Sequence, residues 1–407
     1  MYVYSNMPIP GLQKAIIKKS EEVEGGFHLH VELPRKNHRC KDCGEWTDRI
    51  HDYRIQKIQH LKIFERTTSL FYRKRRYRCR CGKRFFEDND LVERYQRHSK
   101  EWNQALGLRV IQGKNFKDTA DLFRTSPTTV MRRFDELAMP MLEKVETLPP
   151  VIAIDEYKGD TSAGKYQVVI ADGDTGQLLD ILPDRSVDTV RDYLREKGSE
   201  VEMVIMDMSH AFKSAVQKAL GSPIIVADRF HFCRYIYWAL ERVRRRVQKE
   251  FHHYDRKQCK RKKHVFYKRE ENLTERQRWH LERYLSMSED MRTSYELKES
   301  FREWFERAKN IGVEQPSQVK KELHNFYKQV EKAGVWEFMQ GINTLKNWQK
   351  EILNSFTFNY SNGFVEGLNN QTKVIKRNAF GFRRYDRLRL KVLLHHQYKH
   401  IRNFQVG

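Results

Sequence analysis

Apolar residues change their spacing several times along this chain, and each change marks an element. Between Val151 and Ala227 they come in short β-branched runs bounded by Pro, Gly or acids: VIAIDEYKG (151–159), 165–172, 176–182, VEMVIMDMSH (201–210) and 224–227. Such runs predict strands, and residues 187–197 between the third and fourth predict a helix. From Phe232 to about Leu353 the alternation gives way to helical stripes. Ile236, Leu240, Val243, Val247 and Phe251 form the first, with Arg242 and Arg244 to Arg246 largely off it. Thr274 with Gln277 (a capping box), Pro316, and the series Phe338, Ile342, Leu345 and Trp348 mark further helices. Upstream, Arg94 to Met139 is helical in pattern. Residues 1–34 read as a short helical lead followed by a strand, Phe27 to Leu33.

Two of these strands end in acids. Alternation along residues 151–159 puts Val151, Ala153, Asp155 and Tyr157 on one face, and Ile152, Ile154 and Glu156 on the other. A carboxylate ending an apolar strand is costly unless a metal, a cation or water satisfies it. For Asp155 alone, a strand end reaching solvent is the simpler account. Asp207 repeats the setting, however, and the order strand, strand, strand, helix, strand, helix is that of an RNase H-like domain. There the first and fourth strands lie adjacent and parallel, which puts Asp155 beside Asp207. Carboxylates so close repel unless cations sit between them, as a two-metal phosphoryl-transfer site requires. The next strand ends in Asp228-Arg-Phe-His231. This pair either orients a substrate phosphate or is a helix cap with a satisfied histidine.

Charge narrows the partners. Lys and Arg total 77 against 54 Asp and Glu, a formal net charge of +23, which points to a polyanion and most often nucleic acid. No apolar run approaches the roughly 18 residues of a membrane span, so no membrane role is expected. The start, MYVYSNMPIPG, lacks the basic lead and apolar core of a signal peptide. A cytoplasmic, nucleoid-associated protein is expected, whose cysteines are thiols or metal ligands rather than disulfides.

Cys40-Lys-Asp-Cys43-Gly44 and Cys79-Arg-Cys81-Gly82 suit two tight turns aiming four thiolates at one tetrahedral Zn²⁺, although the second pair has one intervening residue where two are usual. His38, His51 and His60 are alternative ligands. Nearby, Tyr72 to Arg78 interleaves aromatics with cations, a candidate phosphate-contacting face. Residues 116–134 have the form of a helix-turn-helix. Ala120 and Phe123 turn inward on the first helix; Ser126 caps the second and Pro127 opens it. Val130 and Phe134 face the core, leaving Thr128, Thr129, Arg132 and Arg133 outward for a DNA groove. The cluster Arg256 to His264 is either a solvated bend or a DNA contact. A last helix from about Gly363 lines up Glu366, Asn370, Lys373 and Arg377 on one side and Phe364, Leu368 and Ile375 on another. An acid among amides and cations suits a phosphate backbone; an ordinary exposed Glu beside Lys373 is the alternative.

The cysteine-pair module, the helix-turn-helix, IDEYKG, VIMDMSHAF, VADRFH and SNGFVEGLNNQTKVIKRNAFGFR, in that order, resemble the ISL3 family of bacterial insertion-sequence transposases over nearly the whole chain. The last motif is the most specific. The resemblance implies a DDE transposase with Asp155, Asp207 and Glu366 as the triad holding two Mg²⁺ (or Mn²⁺) ions, and Asp228 and His231 as auxiliary residues. It implies terminal inverted repeats and target DNA as double-stranded partners, and DNA cleavage and strand transfer as the reaction. The expected organisation is an α/β multidomain chain: a zinc-binding module (1–92), a helix-turn-helix domain (93–140), and an RNase H-like catalytic domain (150–231 and 355–407) interrupted by an all-α insertion (232–354). A homo-oligomer, most simply a dimer on paired ends, would supply chemistry at both ends. A catalytically silent DNA-binding regulator is the alternative.

Overall fold

The first element of the described residues is a strand, at Ile16, and part of the helical lead expected upstream lies outside the described residues. In the computed structural model, which describes residues 11–398, one unit runs to Leu142 and a second spans Glu143 to Gln397. The first unit opens with a hairpin, β1 (Ile16–Val23) and β2 (Gly26–Glu32), turned at Gly25 with φ +80°. β1 hides from sequence reading because most of its side chains are exposed, so no apolar alternation marks it. The two-residue strands β3 (His38–Arg39) and β4 (Trp46–Thr47) pair with each other. β5 (Ile50–Ile63) and β6 (Arg66–Arg78) complete the order β1-β2-β6-β5, with β7 (Arg84–Phe86) on β6. Leu29, Val31, Ile58, Leu70 and Tyr72 bury one face of this sheet.

The cation-aromatic run on β6 is only partly a surface. Tyr72, Arg75 and Tyr77 point inward, a correction to the phosphate-contacting face expected there. Arg75 donates to Glu87 (3.1 Å), Glu32 (3.1 Å) and the Leu33 carbonyl (2.8 Å), and Glu87 also accepts from the Tyr72 hydroxyl at 2.8 Å. Arg73 and Arg76 pair with Glu32 and Asp52.

The four cysteines converge. Cys40 Sγ lies 3.7 Å from Cys81 Sγ and Cys43 Sγ 3.5 Å from Cys79 Sγ, all four within 4.8 Å of one another. Tetrahedral zinc with ligands at about 2.3 Å needs sulfurs about 3.8 Å apart, so the cluster fits the ion. Gly44 and Gly82 follow each pair with φ of +77° and +90°, the left-handed turns the spacing called for. The alternative histidines are not in the cluster: His38 packs tilted against Tyr77, and His60 Nδ1 bonds Ser99 Oγ at 2.8 Å.

Three helices follow, α1 (Lys100–Gln112), α2 (Phe116–Phe123) and α3 (Pro127–Met141). Ser126 caps α3 by accepting the Thr129 N–H, Pro127 occupies its first turn, and Ala120, Val130 and Phe134 are buried as the pattern required. Thr128 and Arg132 are exposed. Arg133 departs from expectation: half-buried, it donates to Glu136 at 2.6 Å and Gln96 at 3.0 Å. Thr129 is also half-buried, its hydroxyl 2.9 Å from that of Ser126.

The second unit is built on β8 (Val151–Thr161), β9 (Gly164–Asp172), β10 (Leu178–Leu182), β11 (Met203–Met206) and β12 (Ile224–Ala227), in the order β10-β9-β8-β11-β12. β8, β11 and β12 are parallel, while β9 and β10 join antiparallel. α4 (Val187–Lys197) and α5 (His210–Leu220) connect the strands, and α6 (Arg229–Val247) leaves β12. Helices α7 (His253–Arg261), α8 (Glu275–Ser286), α9 (Glu289–Ile311), α10 (Pro316–Ala333), α11 (Trp336–Asn347) and α12 (Gln349–Thr357) follow, then α13 (Gly363–Asn378) and α14 (Tyr385–Gln397). One continuous core runs from Ile152 and Val204 of the sheet through Ile236 and Val243 of α6 to Phe356 of α12. Arg244, expected off the α6 stripe, is buried because Glu241 and Gln248 take its guanidinium at 2.6 to 2.8 Å. Asp180 on β10 accepts Arg389 at 2.6 and 2.8 Å, which anchors α14. Among the described residues no helix is long and apolar enough to cross a membrane.

Two predictions follow from the first unit. Glu87→Ala leaves the Arg75 guanidinium buried without its partner, which should destabilise the unit by about 3 to 5 kcal/mol in urea unfolding; adding Arg75→Met should recover most of the loss. Metal analysis should find one Zn²⁺ per chain, and Cys43→Ser with Cys81→Ser should remove it and lower the unfolding temperature, because metal binding supplies folding energy to so small a module.

Candidate active site

Three aspartates follow one level of the sheet: β11 and β12 end just before Asp207 and Asp228, whereas β8 runs on to Thr161, so Asp155 lies within its strand and not at the strand end expected of it. Ile154 of β8, Met206 of β11 and Ala227 of β12 share one level of the sheet, and each is followed by an acid: Asp155, Asp207 and Asp228. β-branched strands set the register, and the parallel pairing turns the three chain directions the same way.

Each acid is held differently. Asp155 Oδ1 accepts the Glu156 N–H at 2.8 Å, and its Oδ2 accepts Asn369 Nδ2 at 2.7 Å. Burial pushes its carboxyl up to about 6, with the Asp207 charge adding to the rise and the Glu156 amide opposing it. Asp207 is likewise raised by burial, and His231 opposes that rise. Its Oδ1 is buried with no hydrogen-bond partner. An orphaned carboxylate oxygen beside another carboxylate is what a cation site looks like before the cation is counted.

Asp228 does two things at once. Its side chain caps α6 by accepting the Phe230 N–H, and its Oδ2 lies 2.6 Å from His231 Nδ1. That hydrogen bond raises the His231 pKa, against the opposing effect of burial. The pair is thus a helix cap with a satisfied histidine, as one of the two sequence readings had it. Glu156, on the opposite face as alternation required, is bound by Arg185 through both oxygens at 2.9 Å, and the guanidinium sits 4.3 Å over the Tyr166 ring.

α13 reaches this row through an amide. Its buried stripe is Val365, Leu368, Asn369, Thr372 and Ile375, and Asn369 is the member that touches Asp155. Glu366 lies one turn before Asn369 and is exposed, as are Asn370, Lys373 and Arg377. Among the described residues the cysteine sulfurs alone form a group of three or more metal-binding atoms within 4.8 Å, so Asp155, Asp207 and Glu366 do not close into such a group. Sequence reading aligned Asn370 with Glu366 and passed over Asn369. The available signal was an amide inside an apolar stripe, a position that demands a buried partner.

Comparison with known proteins covers most of the chain. A family model described as a transposase matches residues 152–392, a helix-turn-helix domain of transposase family ISL3 matches 87–138, and a zinc-finger of transposase IS204/IS1001/IS1096/IS1165 matches 36–82. The transposase for insertion sequence element IS1001 of Bordetella parapertussis is 27% identical over 371 residues, 87% of each chain. A 43-residue stretch is 46% identical to an ATP-dependent protease of Lactococcus lactis subsp. lactis, but this spans 11% of the chain and 14% of that protein and carries no argument. Zinc ribbon, helix-turn-helix and α/β catalytic region thus follow one another in order, the transposase model alone covers more than half the sequence, and the chain belongs to transposase family ISL3, an enzyme of the DDE type.

Proposed function

We propose that Asp155, Asp207 and Glu366 form the metal-binding triad of this transposase, acting on the terminal inverted repeats of its element. The observation that carries the reading is the side-by-side placement of Asp155 and Asp207, with a buried Asp207 oxygen that has no partner. Oxygen-only donors suit Mg²⁺ or Mn²⁺ and disfavour zinc at this site. Such ions would supply activation of a water or a DNA 3'-hydroxyl and stabilisation of the leaving 3'-oxygen. The chain's own part is to hold the charges: Asp155, Asp207 and Glu366 would be the ligands, with Asp155 shared between ions. His231, fixed by Asp228 and with its pKa raised by that hydrogen bond, stands beside the negative row, while Asn370, Lys373 and Arg377 on the exposed side of α13 meet the DNA backbone.

In the first unit, Thr128 and Arg132 of α3 are the strongest candidates for base contact; Thr129 and Arg133 support them from half-buried positions. The sheet order and the sequence of connections support an RNase H-like catalytic domain made of residues 150–231 and 355–407. Residues 232–354 are its all-α insertion, sharing the core of the sheet, with 1–92 as the zinc module and 93–140 as the helix-turn-helix domain. A dimer on paired ends meets the need for matched chemistry at both ends.

Asp155→Asn, Asp207→Asn and Glu366→Gln should each lower Mg²⁺-dependent cleavage of end DNA by about a thousandfold or more, since a lost metal ligand removes several kcal/mol of transition-state stabilisation. End binding should stay near wild type. Near-normal cleavage by one variant removes that residue from the triad, and a wild-type protein that binds ends and never cuts them is the silent regulator. Asn369 tests the geometry of Asp155 separately. Asn369→Ala should raise the Mg²⁺ concentration for half-maximal cleavage by about 10-fold or more, as loss of an orienting hydrogen bond to a metal ligand does. Mn²⁺ binding followed by electron paramagnetic resonance should weaken in parallel, and an unchanged metal requirement would show that the contact does not position Asp155.

A further inference from the structure

The helices of the second unit carry charge that the acid row does not use. α7 reads HYDRKQCKR, and its residues sort by face. Asp255 and Cys259, one turn apart, are buried. His253, Arg256, Lys257, Lys260 and Arg261 are exposed, at the i, i+3, i+4, i+7 and i+8 positions of one stripe. At about 1.5 Å rise per residue, that stripe presents a cation roughly every 5 to 6 Å. Arg245 near the end of α6, Lys249 in the bend after it and Lys263 beyond α7 extend it around a concavity of about 1020 Å³, eight of whose eleven lining residues are Lys or Arg.

These cations are not there to balance acids. Glu241 is the one acid in the wall, and it is already taken by Arg244 at 2.6 Å and Arg245 at 2.7 Å. Lys249, Arg256, Lys257, Lys260 and Lys263 have no ion pair among the described residues. The negative end of the α7 dipole accounts for Lys260 and Arg261 in its last turn, but not for the others. Like charges gathered around one concavity repel, and a polyanion relieves the repulsion. No Phe, Tyr or Trp lines the concavity, and His253 is its one ring, whereas sites for single strands stack successive bases on several aromatic rings.

We propose that this concavity is a further DNA site, which grips the phosphate backbone of duplex DNA without reading bases. The proposal rests on the transposase reading and adds a surface to it, remote in sequence from both the helix-turn-helix and α13. Its charge is fixed by the helical spacing of α7, and its contact is with phosphate, so it serves any duplex, target DNA included.

The test uses the full chain with Lys249→Ala, Lys257→Ala, Lys260→Ala and Lys263→Ala combined. Binding to a random duplex is measured across salt concentrations. Each lost phosphate contact lowers the slope of log affinity against log salt by about 0.9, so the slope should fall by about 3 to 4. The unfolding midpoint should stay at the wild-type value because all four side chains are exposed, and the preference for element ends over random duplex should be retained. An unchanged slope overturns the proposal and leaves the transposase reading standing. Failure of the wild-type protein to cut end DNA overturns that reading instead. An equal loss on a single-stranded oligonucleotide of the same length overturns the assignment to duplex DNA.

Discussion

Burying carboxylates side by side is the constraint on which the second unit turns. Parallel register carries Asp155, Asp207 and Asp228 to one level of three adjacent strands. Removing such groups from water is costly unless each finds a donor or an opposite charge. Asp228 finds His231 and the first turn of α6; Asp155 finds the Glu156 amide and Asn369. Asp207 keeps one oxygen without a donor. The fold thus compensates two acids with donors of its own and leaves one oxygen of the third without one, and the surrounding elements are placed accordingly. α6 starts at Asp228 because that acid is also its cap, and α13 lies against β8 with an amide where the apolar stripe would otherwise continue.

What was legible in the sequence follows from how strongly burial writes itself into residue type. The strands of the second unit are buried on both faces, so they appear as β-branched runs, and acids within or just after them stand out against them. The caps at Ser126, Thr274 and Asp228 and the glycines after each cysteine pair were legible because a specific backbone state demands them. Edge strand β1 was not, since an exposed strand needs no apolar period. Arg75, Arg133 and Arg244 were read as surface cations because their type says exposed, while partners distant in sequence or one turn away take them inside. Asn369 escaped for the converse reason: its partner is 214 residues away, and nothing local distinguishes it from Asn370.

The excess of cations has a distribution as well as a total. Inside the fold, arginines are spent on buried acids such as Glu87, Asp180 and Glu241, which neutralises the interior. Lysines and arginines without an ion pair among the described residues are grouped, on α7 and along the exposed side of α13, so the surface field is uneven.

The hydrogen bond between Asp155 and Asn369 also sets a clock on biosynthesis. At roughly 5 to 20 residues per second, a ribosome makes Asn369 roughly 10 to 40 s after Asp155. By the end of that interval the zinc ribbon and the helix-turn-helix lie more than 200 residues behind the growing end, whereas Asp155 has waited the whole time for its amide donor. The two units therefore differ in when they can finish folding: the first is made of residues close together in the chain, and the acid row must wait for the far end of its own unit.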